Sequence, residues 1–284
     1  MSIKQPEIAI DDIKKLIGNK ADLLAKEMYG IISAGGEGVR LRPITLELPK
    51  PMIEIGATKK PIMYWSLLPM ILGGVSHFII GVRYGASKII EFFGTGEKLS
   101  KEFDREIIID YIQEHKPLGR AGFIKDGIEQ DKIKSNKPAI IFNASDILRL
   151  NLHKLLIHYL WLKTSYDIDV VQIYTSGFRV QYGMGEIDPS TSRVINFKEK
   201  PIRQGFASTA CYVIHKCLSD FKTISKIPSN PEDELIHKWI KEKKIGGYVI
   251  PHESLISIKF EKDLVALTDA DIDQYVKQVY STNL

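Results

Sequence analysis

The 284-residue sequence has little cysteine, and this scarcity excludes two kinds of stabilised fold. Cys211 and Cys217 are the two cysteines, and they show neither a CxxC spacing nor a histidine pattern that would complete a zinc site. The seven histidines also lack the spacing of metal ligands. Disulfide frameworks and zinc modules are therefore not expected, and we interpret both cysteines as free thiols.

Long hydrophobic runs are also missing. The longest apolar segment, PIMYWSLLPMILGGV (Pro61 to Val75), contains an internal proline and is shorter than the roughly 20 residues that cross a bilayer. We interpret it as a buried helix with a kink or break near Pro69. The N-terminal residues MSIKQPEIAIDDIKK include acids and lack a signal-peptide core, so a cytoplasmic location without a membrane partner is expected.

Neither sign of charge predominates. The 39 basic and 35 acidic residues are spread along the chain and leave a formal net charge of +4. This distribution argues against a nucleic-acid partner, although it permits a local basic pocket for a small polyanion. Apolar residues make up 44% of the sequence and no tract is biased, so a soluble folded protein is expected.

Short β-branched runs alternate with segments of helix length. The runs are 29–33, 77–82, 107–112, 139–143 and 168–174. The helical segments are 61–73, 86–93 and 151–165. Continuous apolar strands that alternate with helices predict an α/β fold, in which a doubly wound, mostly parallel and Rossmann-like sheet carries helices on both faces. Ligands of such sheets bind at the carboxyl ends of the strands.

The rest of the chain predicts smaller elements. Residues 182–201 predict a hairpin with a Pro-Ser-Thr-Ser turn, which makes a small β-rich subregion. A helix is predicted at 231–243 and a terminal helix at 261–280. We divide the chain into a helical N-terminal extension (1–27), a main domain (28–268) and a C-terminal helix (269–284).

A glycine-rich stretch, ISAGGEGVRLRPITLELPKP, follows the first predicted strand. Its glycines are Gly35, Gly36 and Gly38. Fixed cations follow at Arg40, Arg42 and Lys50. Two common phosphate motifs are absent, because no GxxxxGK[ST] occurs and Leu41 replaces the third glycine of GxGxxG. Free backbone N–H groups beside fixed cations nevertheless predict a triphosphate site.

Further motifs follow this stretch in a fixed order. AGGEGVRLRPIT (34–45) and PKPM (49–52) precede YIQEHKPLGRAG, IFNASDILRLNL, YGMGEI and FKEKP. Together they resemble the sugar-nucleotidyltransferases, the family of nucleoside-diphosphate-sugar pyrophosphorylases, over about residues 29–250. The resemblance implies a transferase that condenses an NTP with a sugar 1-phosphate to give an NDP-sugar and pyrophosphate, with Mg²⁺ as cofactor.

The resemblance also implies a role for each motif residue. The nucleotide would be bound by Ala34, Gly35, Gly36, Gly38, Glu114 and Gly119. The sugar and its phosphate would be bound by Gly183, Glu199 and Lys200. Arg40 and Lys50 would be the catalytic cations on the phosphates, and Asp146 would ligate Mg²⁺. Because cations and a divalent metal reduce the repulsion between two anionic substrates, the reaction needs no covalent nucleophile.

The base would be read five residues before the glycine of the PLG motif. This position is Glu114, and Gln113 lies beside it. A carboxylate accepts hydrogen bonds and matches the N1–H and N2–H₂ donors of guanine, whereas an amide suits uracil or thymine. We therefore slightly prefer GTP and mannose 1-phosphate as the substrate pair. The next candidate pair is dTTP or UTP with glucose 1-phosphate.

Five positions depart from the family pattern: Val39, Arg120, Ser145, Ser208 and Ser257. The last matters most, because Ser257 stands where the family usually has a second Mg²⁺-binding aspartate. Lys259 and Phe260 then replace a glycine and a threonine, and Glu253 could substitute for the aspartate in a shifted alignment.

These departures leave an alternative function open, a catalytically silent regulatory homologue that binds a nucleotide sugar and pairs with an active subunit. The family's frequent C-terminal β-helix is not expected, because one helix follows residue 264. An oligomer, either of this chain or with a homologue, would then form through the core or the N-terminal helix.

Overall fold

The computed structural model describes residues 20–283 of the chain. Its strands are β1 (Tyr29–Ser33), β2 (Glu54–Ile55), β3 (Lys60–Pro61), β4 (His77–Val82), β5 (Ile108–Gln113), β6 (Ala139–Asn143), β7 (Asp146–Leu148), β8 (Val170–Arg179), β9 (Met184–Ile187), β10 (Val194–Lys198), β11 (Ile202–Ile214), β12 (Ile245–Ile250) and β13 (Leu255–Ser257). Its helices are α1 (Lys20–Glu27), α2 (Ile44–Glu47), α3 (Ile62–Leu72), α4 (Ala86–Phe93), α5 (Glu97–Glu102), α6 (Gly119–Glu129), α7 (Leu152–Tyr166), α8 (Leu235–Lys241), α9 (Glu261–Ala266) and α10 (Asp269–Asn283). A helical extension was predicted for residues 1–27. Residues 1–19 of it lie outside the described residues, and residues 20–27 form α1.

A seven-stranded sheet in the order β12-β8-β11-β6-β1-β4-β5 forms the centre of the fold. Its neighbouring strands are parallel, except that β11 runs antiparallel to both β6 and β8. The chain leaves β1 for β4 on one side and returns to β6 on the other. The strand order therefore reverses between β1 and β6, where ligands bind in doubly wound sheets. The predicted fold class is confirmed.

The two faces of the sheet explain the continuous apolar strands. Side chains alternate along β1, so that Ile31 belongs to one hydrophobic core and Ile32 to the other. Both isoleucines are 0% exposed, because helices cover both faces. A strand buried on both sides needs apolar residues at successive positions, as Ile31 and Ile32 show.

Helix α3 does not break at Pro69. The sequence predicted a kink or a break there, and the break is wrong. The helix continues from Ile62 to Leu72, and its residues are buried as far as Ile71. Proline lacks an N–H, so the carbonyl of Trp65 loses its partner within the helix. The hydroxyl of Tyr275 in α10 donates to that carbonyl over 2.7 Å. Within the described part of the chain, no helix combines the length and apolar character needed to cross a membrane.

The C-terminal helix is two helices, contrary to the prediction of one. Helix α9 ends at Ala266, and α10 begins at Asp269. Between them, the N–H of Thr268 donates to the Asp271 carboxylate over 2.8 Å, and the N–H of Asp271 donates to the Thr268 hydroxyl over 3.2 Å. This reciprocal cap at Thr268 starts a new helix at Asp269, and the motif T-x-x-D was its signal in the sequence.

The predicted hairpin is present, and the predicted helix at 231–243 is shorter than expected. Strands β9 and β10 pair antiparallel. The turn between them is closed by Asp188, whose carboxylate accepts from the N–H and hydroxyl of Ser190. Those hydrogen bonds lower the pKa of Asp188 to about 2. The observed helix, α8, begins only at Leu235. A turn precedes it, in which the N–H of Asn230 donates to the Asp233 carboxylate over 2.7 Å.

Candidate active site

A cleft of about 550 Å³ opens at the carboxyl ends of β1, β4, β5 and β6, a volume typical of ligand pockets. Its lining includes nine residues to which the sequence assigned a role: Ala34, Gly35, Gly36, Gly38, Arg40, Lys50, Glu114, Gly119 and Asp146. They come from segments more than 100 residues apart in the chain. Parallel strands bring them together, because the loops that follow parallel strands share one edge of the sheet.

The glycine loop packs closely against Glu114. A methyl group at Gly35 would lie 2.6 Å from the Oε1 atom of Glu114, so no larger residue fits there unless the carboxylate moves. The Oε2 atom of Glu114 accepts from the N–H of Leu118 over 3.1 Å. Glu114 is 8% exposed and burial raises its pKa, although the Leu118 N–H and Arg83 oppose that shift. Gln113 is exposed at the end of β5 and does not line the cleft.

Arg40 and Lys50 occupy two successive 3₁₀ turns after the glycine loop. The Arg40 guanidinium lies 5.7 Å from the centroid of the Phe260 ring. Burial lowers the pKa of Lys50, and the Asp146 carboxylate partly opposes that shift. Among the described residues, neither cation has a carboxylate within ion-pair distance. Both are therefore available to an anionic ligand.

The third cation of the glycine-rich stretch, Arg42, does not join them. Its guanidinium pairs with Glu37 at 3.3 Å and lies outside the cleft lining. Arg83 lines the cleft instead and pairs with the same carboxylate at 3.3 Å. The sequence reasoning missed Arg83, although it directly follows the strand HFIIGV and so lies at a carboxyl strand end.

Asp146 begins a short strand and does not cap a helix. Asn151 caps α7 instead, because its side chain accepts from the N–H of Lys154 over 2.7 Å. The Asp146 carboxylate accepts from the Asn143 amide over 2.8 Å and from the Ser257 hydroxyl over 3.1 Å. Ser257 is its register partner across the antiparallel pair β7 and β13.

This donor set suits a metal ion only in part. Asp146 offers one carboxylate, and the described residues contain no group of three or more His, Cys, Asp or Glu side chains that could hold a metal. Glu253 does not substitute for a second carboxylate, since it lies outside the cleft lining and pairs with His252 at 3.0 Å. Mg²⁺ would therefore be held by Asp146 together with ligand phosphates.

Gly119 and Arg120 form the opposite wall. Gly119 has a φ of +75°, and a Cβ there would lie 2.3 Å from the carbonyl oxygen of Ser229, so glycine is required. The charge of Arg120 is paired, because its guanidinium donates to Glu232 over 2.6 Å. Tyr212 donates to the same carboxylate over 2.8 Å. The departure at Arg120 therefore does not leave a free cation beside the ligand.

Other residues on this wall were missed or were noted in the sequence only as departures. Asn230 was missed, and its Oδ1 atom accepts from the N–H of Arg120 over 3.3 Å. Ser208 lines the cleft, and its hydroxyl accepts from the Gln172 amide over 2.6 Å. No local motif marks Asn230, which reaches the wall from a loop about 110 residues beyond Arg120.

The residues assigned to the sugar lie together but outside the cleft lining. A methyl group at Gly183 would lie 2.8 Å from the Oε2 atom of Glu199. The Lys200 ammonium lies 3.5 Å from the other oxygen of that carboxylate. Both charged side chains are exposed, with 62% of Glu199 and 46% of Lys200 accessible. The three residues form a second group beside the β9–β10 hairpin.

The fold and the site define a doubly wound α/β protein with a cation-lined cleft at the switch point of its sheet. Within that class, residues 29–247 match the family model described as nucleotidyl transferase, and the chain belongs to this family.

Two curated relatives carry named activities. A mannose-1-phosphate guanyltransferase of Pichia angusta is 27% identical over 228 residues, which are 79% of this chain and 59% of that protein. A D-glycero-alpha-D-manno-heptose 1-phosphate guanylyltransferase of Aneurinibacillus thermoaerophilus is 27% identical over 223 residues, which are 78% of this chain and 89% of that protein. This chain therefore spans little more than half the length of the Pichia relative.

A solved structure shows the same fold. A candidate glucose-1-phosphate thymidylyltransferase from Bacillus anthracis, in complex with a sucrose, superposes with a TM-score of 0.63 at 18% sequence identity. The match covers 84% of this chain and 93% of that protein. At this identity the likeness concerns the fold alone.

Proposed function

We propose that this chain is a sugar-1-phosphate nucleotidyltransferase, which joins an NTP to a sugar 1-phosphate and releases pyrophosphate. One observation carries the proposal: the glycine loop, the Asp146 carboxylate and the cations Arg40 and Lys50, which have no ion pair in the described part of the chain, line one cleft. Membership of the nucleotidyl transferase family supports it. We place the catalytic domain at residues 28–268.

The reaction joins two anions, so charge is the main obstacle. An oxygen of the sugar phosphate attacks the α-phosphorus of the NTP, and the bond from that phosphorus to the leaving pyrophosphate breaks. Arg40 and Lys50 bind the nucleotide phosphates and stabilise the charge that develops on the leaving group. Asp146 and the nucleotide phosphates would hold Mg²⁺, which would supply further neutralisation of that charge.

Guanine is the preferred base in this proposal. Glu114 lines the cleft with a carboxylate, whose acceptors complement the N1–H and N2–H₂ donors of guanine. Gln113, the residue that would favour uracil or thymine, lies outside the lining. The names of the two curated relatives, both guanylyltransferases, agree with this preference.

Mannose 1-phosphate is the preferred sugar substrate. Gly183, Glu199 and Lys200 would bind its hydroxyls and phosphate. The names of the two relatives contain mannose and a manno-heptose. Glucose 1-phosphate with dTTP or UTP is the second candidate pair.

The test is pyrophosphate release in Mg²⁺ buffer, with the four NTPs and dTTP each combined with the 1-phosphates of glucose, mannose, galactose and N-acetylglucosamine. Asp146→Asn is the control, because it keeps the shape of the side chain and removes its charge. We expect release with GTP and mannose 1-phosphate, abolished in the control.

Release with dTTP or UTP would still support the proposed enzyme, but it would contradict the role of Glu114 in reading the base. If no pair releases pyrophosphate while nucleotide sugars raise the melting temperature, the protein is the silent regulatory homologue. Ser257 opposite Asp146 is the observation that favours that second function.

A further inference from the structure

Lys259 enters the cleft beside the serine that faces Asp146. Strand β13 ends at Ser257, whose hydroxyl bonds the Asp146 carboxylate over 3.1 Å. Lys259 follows two residues later and lines the same cleft as Asp146 and Lys50. The segment that places a hydroxyl against the carboxylate therefore also places a cation in the cleft.

The backbone around Lys259 is held in position. The N–H groups of Lys259 and Phe260 both donate to the Oδ2 atom of Asp263, each over 2.8 Å. The ring of Phe260 lies 5.7 Å from the Arg40 guanidinium. The start of α9 thus anchors Lys259 next to a cation of the glycine-rich stretch.

The charges of the cleft lining are unbalanced. Arg83 and Arg120 each have a carboxylate partner, at 3.3 and 2.6 Å. The other lining cations are Arg40, Lys50 and Lys259. These three have no ion pair among the described residues, and the lining carboxylates are Glu114 and Asp146.

Gathering three unpaired cations is unfavourable unless an anion binds between them. Burial lowers the pKa of the Lys50 ammonium, Asp146 and Asp263 oppose that shift, and the positive charges of Arg40 and Lys259 add to it, so the three cations interact. A ligand with several negative charges in a short chain would relieve this repulsion. A polyphosphate has that charge distribution.

We propose that Lys259 is a third phosphate-binding cation, which contacts the polyphosphate of the nucleotide and allows it to bind without a metal ion. Lys259 supplies positive charge two residues after Ser257, whose hydroxyl bonds the Asp146 carboxylate. The inference rests on the proposed function for the identity of the nucleotide, and polyphosphate binding can be measured without turnover.

The experiment is isothermal titration with inorganic tripolyphosphate in EDTA buffer. The variants are Lys259→Ala and Lys259→Gln. Lys262→Ala is the matched control, because Lys262 also lies near the Phe260 ring, at 5.3 Å, and is outside the cleft lining. We expect the wild type to bind, both Lys259 variants to bind about tenfold or more weakly, and the control to stay within about twofold.

Equal weakening in Lys259→Ala and Lys262→Ala would overturn the inference, since it would reflect net charge alone. Wild-type binding that begins only after Mg²⁺ is added would overturn it as well. Equal melting temperatures establish that the variants are folded. Tripolyphosphate binding could depend on Lys259 while no substrate pair releases pyrophosphate. That result would support the role of Lys259 and contradict the proposed enzymatic function.

Discussion

Glu114 is the residue on which the choice of nucleotide depends in our proposal. One of its oxygens is occupied by the N–H of Leu118 over 3.1 Å, and the carboxylate packs against Gly35. Replacing it with glutamine would keep the oxygen on Leu118 and turn the amide N–H₂ towards the ligand. The substitution therefore changes an acceptor into a donor at the base.

We expect Glu114→Gln to lower GTP use about tenfold or more relative to UTP, since a matched pair of hydrogen bonds to a base discriminates by ~1–3 kcal/mol. The measurement is the ratio of pyrophosphate release with the two nucleotides. Gln113→Glu is the control, because Gln113 is exposed outside the cleft. An unchanged ratio in Glu114→Gln would show that this residue does not read the base.

At the scale of elements, α10 completes α3. The Tyr275 hydroxyl replaces the N–H that Pro69 lacks, and it reaches the Trp65 carbonyl from 210 residues along the chain. Tyr275 is 0% exposed, so water has no access to the hydroxyl when the protein is folded. The continuity of a buried helix thus depends on a distant one.

Tyr275→Phe should lower the free energy of unfolding by about 1–3 kcal/mol, because a buried carbonyl loses its partner while the ring packing is kept. Urea denaturation measures the change. Tyr280→Phe in the same helix is the comparison, since Tyr280 is partly exposed, and it should have a smaller effect. Equal losses in both variants would contradict the role of this hydrogen bond.

At the scale of the whole molecule, a buried carboxylate connects three elements. Asp169 precedes β8 and is 1% exposed. It accepts from the Lys163 ammonium of α7 over 2.5 Å and from the N–H of Cys217. Burial raises the pKa of Asp169, but the hydrogen bonds from Lys163 and Cys217 exceed that effect, and the pKa is lowered.

A lowered pKa adds stability above the unfolded value of about 3.9, and this stability is lost as the pH falls through the folded value. We therefore expect the urea concentration at the unfolding midpoint of the wild type to decrease once the pH is below about 4. The decrease should be less steep in Asp169→Asn. Asp273→Asn is the control, because Asp273 is exposed on α10. Parallel profiles of wild type and Asp169→Asn would contradict the role of this group.

Local sequence predicted the main strands and many of the residues that line the cleft. β-Branched runs predicted the parallel strands, because both faces of such strands are buried. The glycine loop with Arg40 and Lys50 predicted a cleft with free cations, since its residues lie within one short stretch. Asp146 was predicted as a metal ligand from its motif, and the structure places it in the cleft lining. The division into domains, the oligomeric state and the roles of individual residues stay predictions.

Tertiary structure alone decided which distant groups meet. Ser257 faces Asp146, Arg83 replaces Arg42 beside the glycine loop, and Tyr275 keeps α3 continuous past its proline. Local periodicity indicates whether a residue is buried, but it does not indicate which residues pack against it. Contacts across 100 or more residues depend on how strands order and helices dock, and these are properties of the folded chain.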